Sequence, residues 1–377
     1  MFVAAAYVAL QLPVSLPLST RFGALSTGAV GLFFGGAAAV TVIGLGLGLW
    51  VLLRPVERFR SAGSDTGRFG VAGLGLALAV FVFSKLHHGL HAADGPAGAL
   101  YSVLQTVSYS YIFLRAVELV RCVVWGRDAL LGPVALAGYL APFHMLLSGP
   151  IAPYADWVAA DRETTPEPSL RRLIASANLI VTGMFFKVVM AESVRLGLFG
   201  DVLVTTAQGL GDAAGLTAYL YFDFAGYSLI ALGIGLALGV PTPRNFDRPF
   251  LASSVTAFWT RWHMSLSLFL RNNVFLPLQL FLARRLGRRA ATVVAVVPLA
   301  LTFCAAGMWH RFSVRLLLWG AGMGLVMGVE KLVRDRLMRG PRFRSGPLLV
   351  AWRWLGPVYV LTVVVVGMYF VSHEIFG

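Results

Sequence analysis

Apolar residues dominate this chain in long blocks, without the strict alternation of a half-buried strand. The blocks fall at about 28–53, 70–86, 96–120, 129–148, 172–198, 214–240, 291–310, 312–330 and 348–371, with a shorter one at 2–17. Most approach the roughly 20 residues an α-helix needs to cross a hydrocarbon core. The pattern predicts an all-α polytopic membrane protein with about nine to eleven transmembrane or re-entrant helices, since only helices and closed barrels satisfy backbone polar groups in lipid. It leaves no soluble domain, so residues 1–377 are read as a single integral membrane domain. The first block has no basic segment before it and no small-x-small cleavage site, and is expected to remain as a membrane segment.

Composition agrees with the pattern. The chain is 58% hydrophobic and only 13% charged, against about 25% charged in a soluble domain. The formal charge of +14 suggests nucleic acid until its location is considered. The basic residues gather in short loops: Arg54, Arg58, Arg60 and Arg68; Arg284, Arg285, Arg288 and Arg289; Lys331, Arg334, Arg336, Arg339, Arg342 and Arg344. Such loops are cytoplasmic by the positive-inside rule. A multi-pass protein of the inner or plasma membrane follows, with the bilayer as its partner and no nucleic acid. Because the loops at 284–289 and 331–344 are then on one side, the apolar stretch between them must go out and return, turning near His310-Arg311-Phe312-Ser313.

Polar groups inside this apolar frame mark the chemistry, because strongly polar side chains at bilayer depth are costly unless paired or facing a cavity. His263 and His310 stand out. His263 lies in Phe258-Trp-Thr-Arg-Trp-His-Met-Ser-Leu-Ser-Leu-Phe-Leu-Arg271. On one helix Thr260, His263, Ser267 and Arg271 would share an arc of about 80°. That stripe predicts a tilted, horizontal or re-entrant helix facing a wet cavity, or alternatively an interfacial amphipathic helix anchored by Trp and Arg. Tyr219, Asp223 and Tyr227 recur every four residues on one helix face. Asp223 is expected to be paired, either orienting a histidine or tying two helices together.

Other candidates carry less. His87 and His91 have a metal-ligand spacing with Asp94 nearby, yet they sit at the end of an apolar block, where interfacial polar residues are ordinary. His144, between Pro142 and Pro150, either lines a cavity or satisfies a broken helix. His373 is read as solvated. Cys122 and Cys304 read as small buried hydrophobes and not as a disulfide or metal pair. No Gly-x-Ser-x-Gly elbow, P-loop or dinucleotide fingerprint is present.

Six segments in order carry a family resemblance: Gly149-Pro-Ile151, Gly183-Met-Phe-Phe-Lys187, Tyr221-Phe-Asp-Phe-Ala-Gly-Tyr-Ser228, Asn245-Phe-Asp-Arg-Pro-Phe250, Phe258-Trp-Thr-Arg-Trp-His-Met-Ser-Leu-Ser267 and Gly307-Met-Trp-His310. Over roughly residues 100–335 the chain resembles the membrane-bound O-acyltransferases, in the bacterial branch that includes alginate O-acetyltransferases and the teichoic acid D-alanyl transfer protein. The chain departs from that pattern at Phe269-Leu-Arg-Asn272, where the family has Trp-Leu-Arg-Asp, and at Arg311, where it has glycine. The first 95 or so residues match nothing placed.

The resemblance implies helices arranged around a tunnel, in which an acyl group from a cytoplasmic thioester, acyl-CoA or an acyl carrier protein, passes to a hydroxyl. It implies no bound cofactor and no metal. It makes His310 the base and His263 a second polar group that orients the acceptor or stabilises the oxyanion. Asp223, Tyr227, Asn245, Arg248, Arg261, Ser267, Arg271 and Trp309 are then supporting or tunnel-lining. Acyl transfer to an alcohol needs a proton acceptor and oxyanion donors, and histidine titrates near neutrality.

Only three of the 31 basic residues are lysine, Lys85, Lys187 and Lys331, which suggests a GC-rich bacterial genome. That favours acetylation of an extracytoplasmic polysaccharide or cell-envelope glycan over D-alanylation of teichoic acid, with acylation of a lipid-linked or small-molecule hydroxyl third. A transporter or flippase is the rival class; the polar motifs concentrate in 217–310 without counterparts upstream.

Overall fold

The computed structural model describes residues 2–11, 16–86, 96–106, 108–126, 128–162, 169–199, 207–287, 290–337 and 347–376. His87, His91 and Asp94, and the basic positions Arg288, Arg289, Arg339, Arg342 and Arg344, lie outside them. Among the described residues the regular structure is helical, and eight helices are long and apolar enough to cross a membrane: Gly36–Ser61, Gly67–Lys85, Leu170–Phe199, Leu210–Leu238, Met264–Leu286, Ala291–His310, Val314–Arg334 and Trp354–Glu374.

The differences from the sequence reading have local causes. The block at 28–53 joins two helices, Leu18–Phe34 and Gly36–Leu53, separated at Gly35 with φ 91°, a conformation glycine adopts without a Cβ clash. The block at 129–148 is not a span. It holds a short helix, Pro133–Leu140, and a 3₁₀ turn, Phe143–Met145, divided before Pro142, whose ring removes a backbone donor. Conversely Met264–Leu286 is long enough to span, although its mixed composition had hidden it.

The chain divides into two compact units. The first comprises residues 1–183 and 227–243. Its helices Leu18–Phe34 and Pro133–Leu140 meet at Gly23 and Gly138; a Cβ on Gly23 would stand 2.1 Å from the Val134 carbonyl oxygen, so only glycine permits this approach. Arg115 is wholly buried in helix Tyr109–Val124. Its guanidinium donates to the carbonyls of Leu140 (3.2 Å), Met145 (2.9 Å) and Pro150 (3.2 Å). It thus satisfies acceptors that the broken stretch at 140–150 releases.

The second unit comprises 184–226 and 244–377. Its frame is the helical hairpin of Ala291–His310 and Val314–Leu337. Gly320, Gly324 and Gly328 recur every four residues on the second helix, and a Cβ at each would come within 2.2–2.8 Å of Phe303, Ala300 and Val296 on the first. Small residues at this spacing let two backbones touch. The core beside it contains Ala252, Val255, Phe258, Trp262, Phe303, Met323, Met327, Val360 and Val364. Two segments in candidate spans are π-helical, Phe185–Ala191 and Arg271–Phe275, a distortion frequent near functional sites.

Candidate active site

The second unit holds both candidate histidines, and the chain is shaped around each. His263 is not on a continuous helix. The expected stripe of Thr260, His263, Ser267 and Arg271 is interrupted: one helix ends at Trp259 and the next starts at Met264. With only five residues in Val255–Trp259, the amphipathic interfacial helix is likewise absent. His263 itself takes the left-handed conformation, φ 45° and ψ 53°, which costs a side chain other than glycine or asparagine about 1 kcal/mol or more.

Segment 245–248 holds this bend. Phe246 and Trp262 form an antiparallel bridge, and the Asp247 N–H donates to the Arg261 carbonyl at 3.0 Å. Asn245, 2% exposed, closes the other side. Its carbonyl accepts the Met264 N–H at 2.9 Å, and its side-chain Oδ1 accepts the Ser265 N–H at 3.3 Å and hydroxyl at 2.7 Å. The Ser267 hydroxyl donates back to the Trp259 carbonyl at 2.6 Å. It staples the two short helices. Glu330 caps Val255–Trp259 from the hairpin, accepting the N–H groups of Val255 (2.7 Å) and Thr256 (3.2 Å), as a carboxylate at a helix N-terminus should.

The His263 imidazole is buried, 5% exposed, and stands edge-on to Phe224 with ring centroids 4.7 Å apart. Its Nε2 has no hydrogen-bond partner among the described residues. A buried polar atom without a partner costs free energy, so this nitrogen is disposed toward a ligand. Burial above all, and to a lesser extent the charge of His310, disfavours protonation of His263. His310 is the last residue of its helix, exposed at the turn before Val314, which agrees with the expected out-and-back course. Its ring lies 4.6 Å from that of Trp309, which is buried. Gly307 lets the turn close, since a Cβ there would be 2.3 Å from the Leu316 carbonyl oxygen.

The remaining sequence candidates separate. Asp223 pairs with Lys187, on the π-helical segment, so of its two expected roles the tie between helices is the one seen. Arg248 is exposed and also left-handed, φ 46°, at the start of a 3₁₀ turn. Arg261 contributes its backbone carbonyl, and Arg271 is exposed at the head of the second π-helical segment. Tyr227 belongs to the first unit, where its hydroxyl donates to the His144 carbonyl at 3.3 Å. His144 is buried with Nε2 3.0 Å from the Thr242 hydroxyl, and its Nδ1 has no hydrogen-bond partner among the described residues. His373 is exposed in the last turn of helix Pro347–Phe376. Cys122 is buried, Cys304 partly so, and both are free. No grouping of three or more metal-ligating side chains occurs among the described residues.

Sequence reasoning passed over Arg115, Glu330 and the partnership of Lys187. The signal for Arg115 was present, as a charge inside the apolar block at 96–120. The other two require knowledge of which helices adjoin.

A family model described as MBOAT, membrane-bound O-acyltransferase family, matches residues 99–371. The match includes both histidines and leaves out the N-terminal part that resembled nothing. The chain is 31% identical over 241 residues to a probable alginate O-acetylase AlgI of Pseudomonas syringae pv. tomato, covering 63% of this chain and 43% of that protein. It is 26% identical over 236 residues to a teichoic acid D-alanyltransferase of Bacillus subtilis, covering 60% and 59%. It is 29% identical over 198 residues to a peptidoglycan O-acetyltransferase of Helicobacter pylori, covering 51% and 36%. The chain thus spans about half the length of the curated relatives it matches.

Proposed function

Since the chain belongs to the membrane-bound O-acyltransferase family, we propose that it moves an acyl group, acetyl first among the choices, from a cytoplasmic thioester to a hydroxyl of an extracytoplasmic polysaccharide or other cell-envelope glycan. The donor is acyl-CoA or an acylated carrier protein, and the enzyme resides in the inner or plasma membrane. The observation that carries this reading is the buried His263, its Nε2 without a partner among the described residues and its backbone left-handed at the bend, in the same unit as an exposed His310 at a helix end.

His310 takes the proton of the acceptor hydroxyl as its oxygen attacks the thioester carbonyl carbon. The carbonyl pair moves onto oxygen, where the His263 ring can donate a hydrogen bond in the tautomer that protonates Nε2. The oxyanion collapses, the carbon–sulfur bond breaks, and the thiolate leaves as the ester forms. The proton held by His310 returns to sulfur, so the free thiol is the second product. Asn245 acts through His263 and is a positioning residue. Names of relatives suggest the acceptor class: two are named for O-acetylation, of alginate and of peptidoglycan, and one for D-alanylation of teichoic acid.

The test is release of free thiol by the purified protein from a thioester donor, dependent on an added glycan acceptor. A D-alanyl thioester on a carrier protein forms the comparison arm, and its preferential use moves the assignment to teichoic acid. Translocation of the acceptor without thiol release overturns acyl transfer altogether.

A further inference from the structure

A cleft of about 600 Å³ opens in the second unit, well away from the histidines, where helix Leu276–Leu286 ends, Ala291–His310 begins and Val314–Leu337 approaches its end. This is within the range of ligand sites. Its lining includes Lys331, Arg336, Gln279 and Thr292 together with the apolar Val294 and Leu332. The surroundings are strongly basic. Residues 284–287 and 330–337 contain Arg284, Arg285, Lys331, Arg334 and Arg336 against Glu330 and Asp335, and the Glu330 carboxylate is already engaged at the N-terminus of Val255–Trp259.

The depth of the cleft is fixed by the helices that form it. Candidate spans end at Leu286 and Arg334 and begin at Ala291, so the cleft lies where hydrocarbon gives way to headgroups. Basic pockets between transmembrane helices at that level suit anionic headgroups. His310 is at the other end of the 20-residue helix Ala291–His310, about 30 Å away at 1.5 Å per residue. A group held here is therefore not at the acyl-transfer centre.

We propose that this cleft binds the headgroup of an anionic phospholipid, its phosphate toward Lys331 and Arg336 and its glycerol and upper acyl chains along Val294 and Leu332. A lining that is both basic and apolar at the membrane boundary matches a molecule that is charged at one end and oily at the other. A soluble nucleotide phosphate would use only the basic side chains.

The full chain, purified in uncharged detergent, is titrated with phosphatidylglycerol or phosphatidylcholine, and bound lipid is read by native mass spectrometry. Wild type should retain phosphatidylglycerol preferentially. Lys331→Gln with Arg336→Gln should bind it about tenfold or more weakly, each cation near a headgroup contributing several-fold, whereas Lys331→Arg with Arg336→Lys should keep the preference. Arg336→Gln alone, at an exposed position, supplies the intermediate case should the double variant fail to fold. Equal retention by the neutral variants, no preference for the anionic lipid in wild type, or displacement of that lipid by coenzyme A would each overturn the proposal. The readout does not depend on acyl transfer.

Discussion

Asn245 grips Ser265 through a single oxygen. Its Oδ1 accepts both the backbone N–H and the hydroxyl of the serine, at 3.3 and 2.7 Å, two residues beyond the left-handed His263. An amide 20 positions away in sequence thus fixes the direction in which the chain leaves the histidine, while the Asn245 carbonyl fixes Met264.

Asn245→Ala should therefore lower turnover without changing donor KM, because it loosens the bend and touches no substrate. Leaving a buried donor unsatisfied costs about 1–3 kcal/mol, so a lower thermal midpoint should accompany the kinetic loss. Asn245→Asp keeps the accepting oxygen and should recover part of the turnover. An unchanged kcat in Asn245→Ala would show that the clamp does not position His263.

Removal of the base should be the most damaging change. His310→Ala is expected to reduce acyl transfer by at least 10²-fold, at the lower end of general-base contributions of roughly 10²–10⁴, while the exposed position leaves folding intact. His310→Gln should be nearly as inactive, because it cannot accept the proton. Steady-state thiol release, with size exclusion as the folding control, decides this, and turnover close to wild type would remove His310 from the mechanism.

The two histidines should part company when each becomes asparagine. Asparagine tolerates the left-handed conformation better than most residues, so His263→Asn keeps the backbone and a short hydrogen-bonding group. Its loss should resemble that of an oxyanion donor, about 10²–10³-fold, and be smaller than that of His310→Asn. His263→Val, β-branched in a left-handed position, should unfold more readily than His263→Asn. A greater catalytic loss in His263→Asn than in His310→Asn would reverse the roles.

Lys187 and Asp223 should behave as a pair. Either Lys187→Met or Asp223→Leu leaves one charge unmatched in an apolar span. The double variant should unfold at a higher temperature than either single one, a sign of coupling that a double-mutant cycle measures. Additive losses would mean that the ion pair adds little beyond its two separate side chains.

Topology is open to direct labelling. With Cys122 and Cys304 replaced by serine, single cysteines at Arg285 and Arg334 should be shielded from an impermeant thiol reagent in intact cells and labelled after lysis. Labelling of only one of them in intact cells would contradict the return of the 291–334 hairpin to its starting side.

The sequence announced most of the spans and both histidines because each signal is local: a run of apolar residues, or a polar ring in or beside one. The helix break at 260–263 is a different kind of fact. Thr260-Arg261-Trp262 has a periodicity compatible with helix, and what holds the break is the segment beginning at Asn245, through a single β-bridge and the Asn245 side chain. Arg115 shows the same limit from another side. Its charge was visible, but its carbonyl partners lie 25, 30 and 35 residues downstream and become acceptors only because that segment is not helical. Asp223 was rightly expected to be paired, yet its choice of Lys187 depends on which helix lies beside it.

The glycine row of the hairpin has a mechanical consequence. Helix Ala291–His310 reaches the His263 bend through Trp259, whose ring meets Phe303 at 5.3 Å and Trp319 at 5.9 Å, one from each arm. Trp259 is in turn tied to Ser267 across the bend. The hairpin thus works as a caliper, its gap set by Gly320, Gly324 and Gly328, where no side chain intervenes. One methyl group at the pivot, as in Gly320→Ala, would spread the jaws and be felt at both histidines without touching either. In this part of the chain the residues with the least chemistry of their own govern the tolerance to which the chemistry is built.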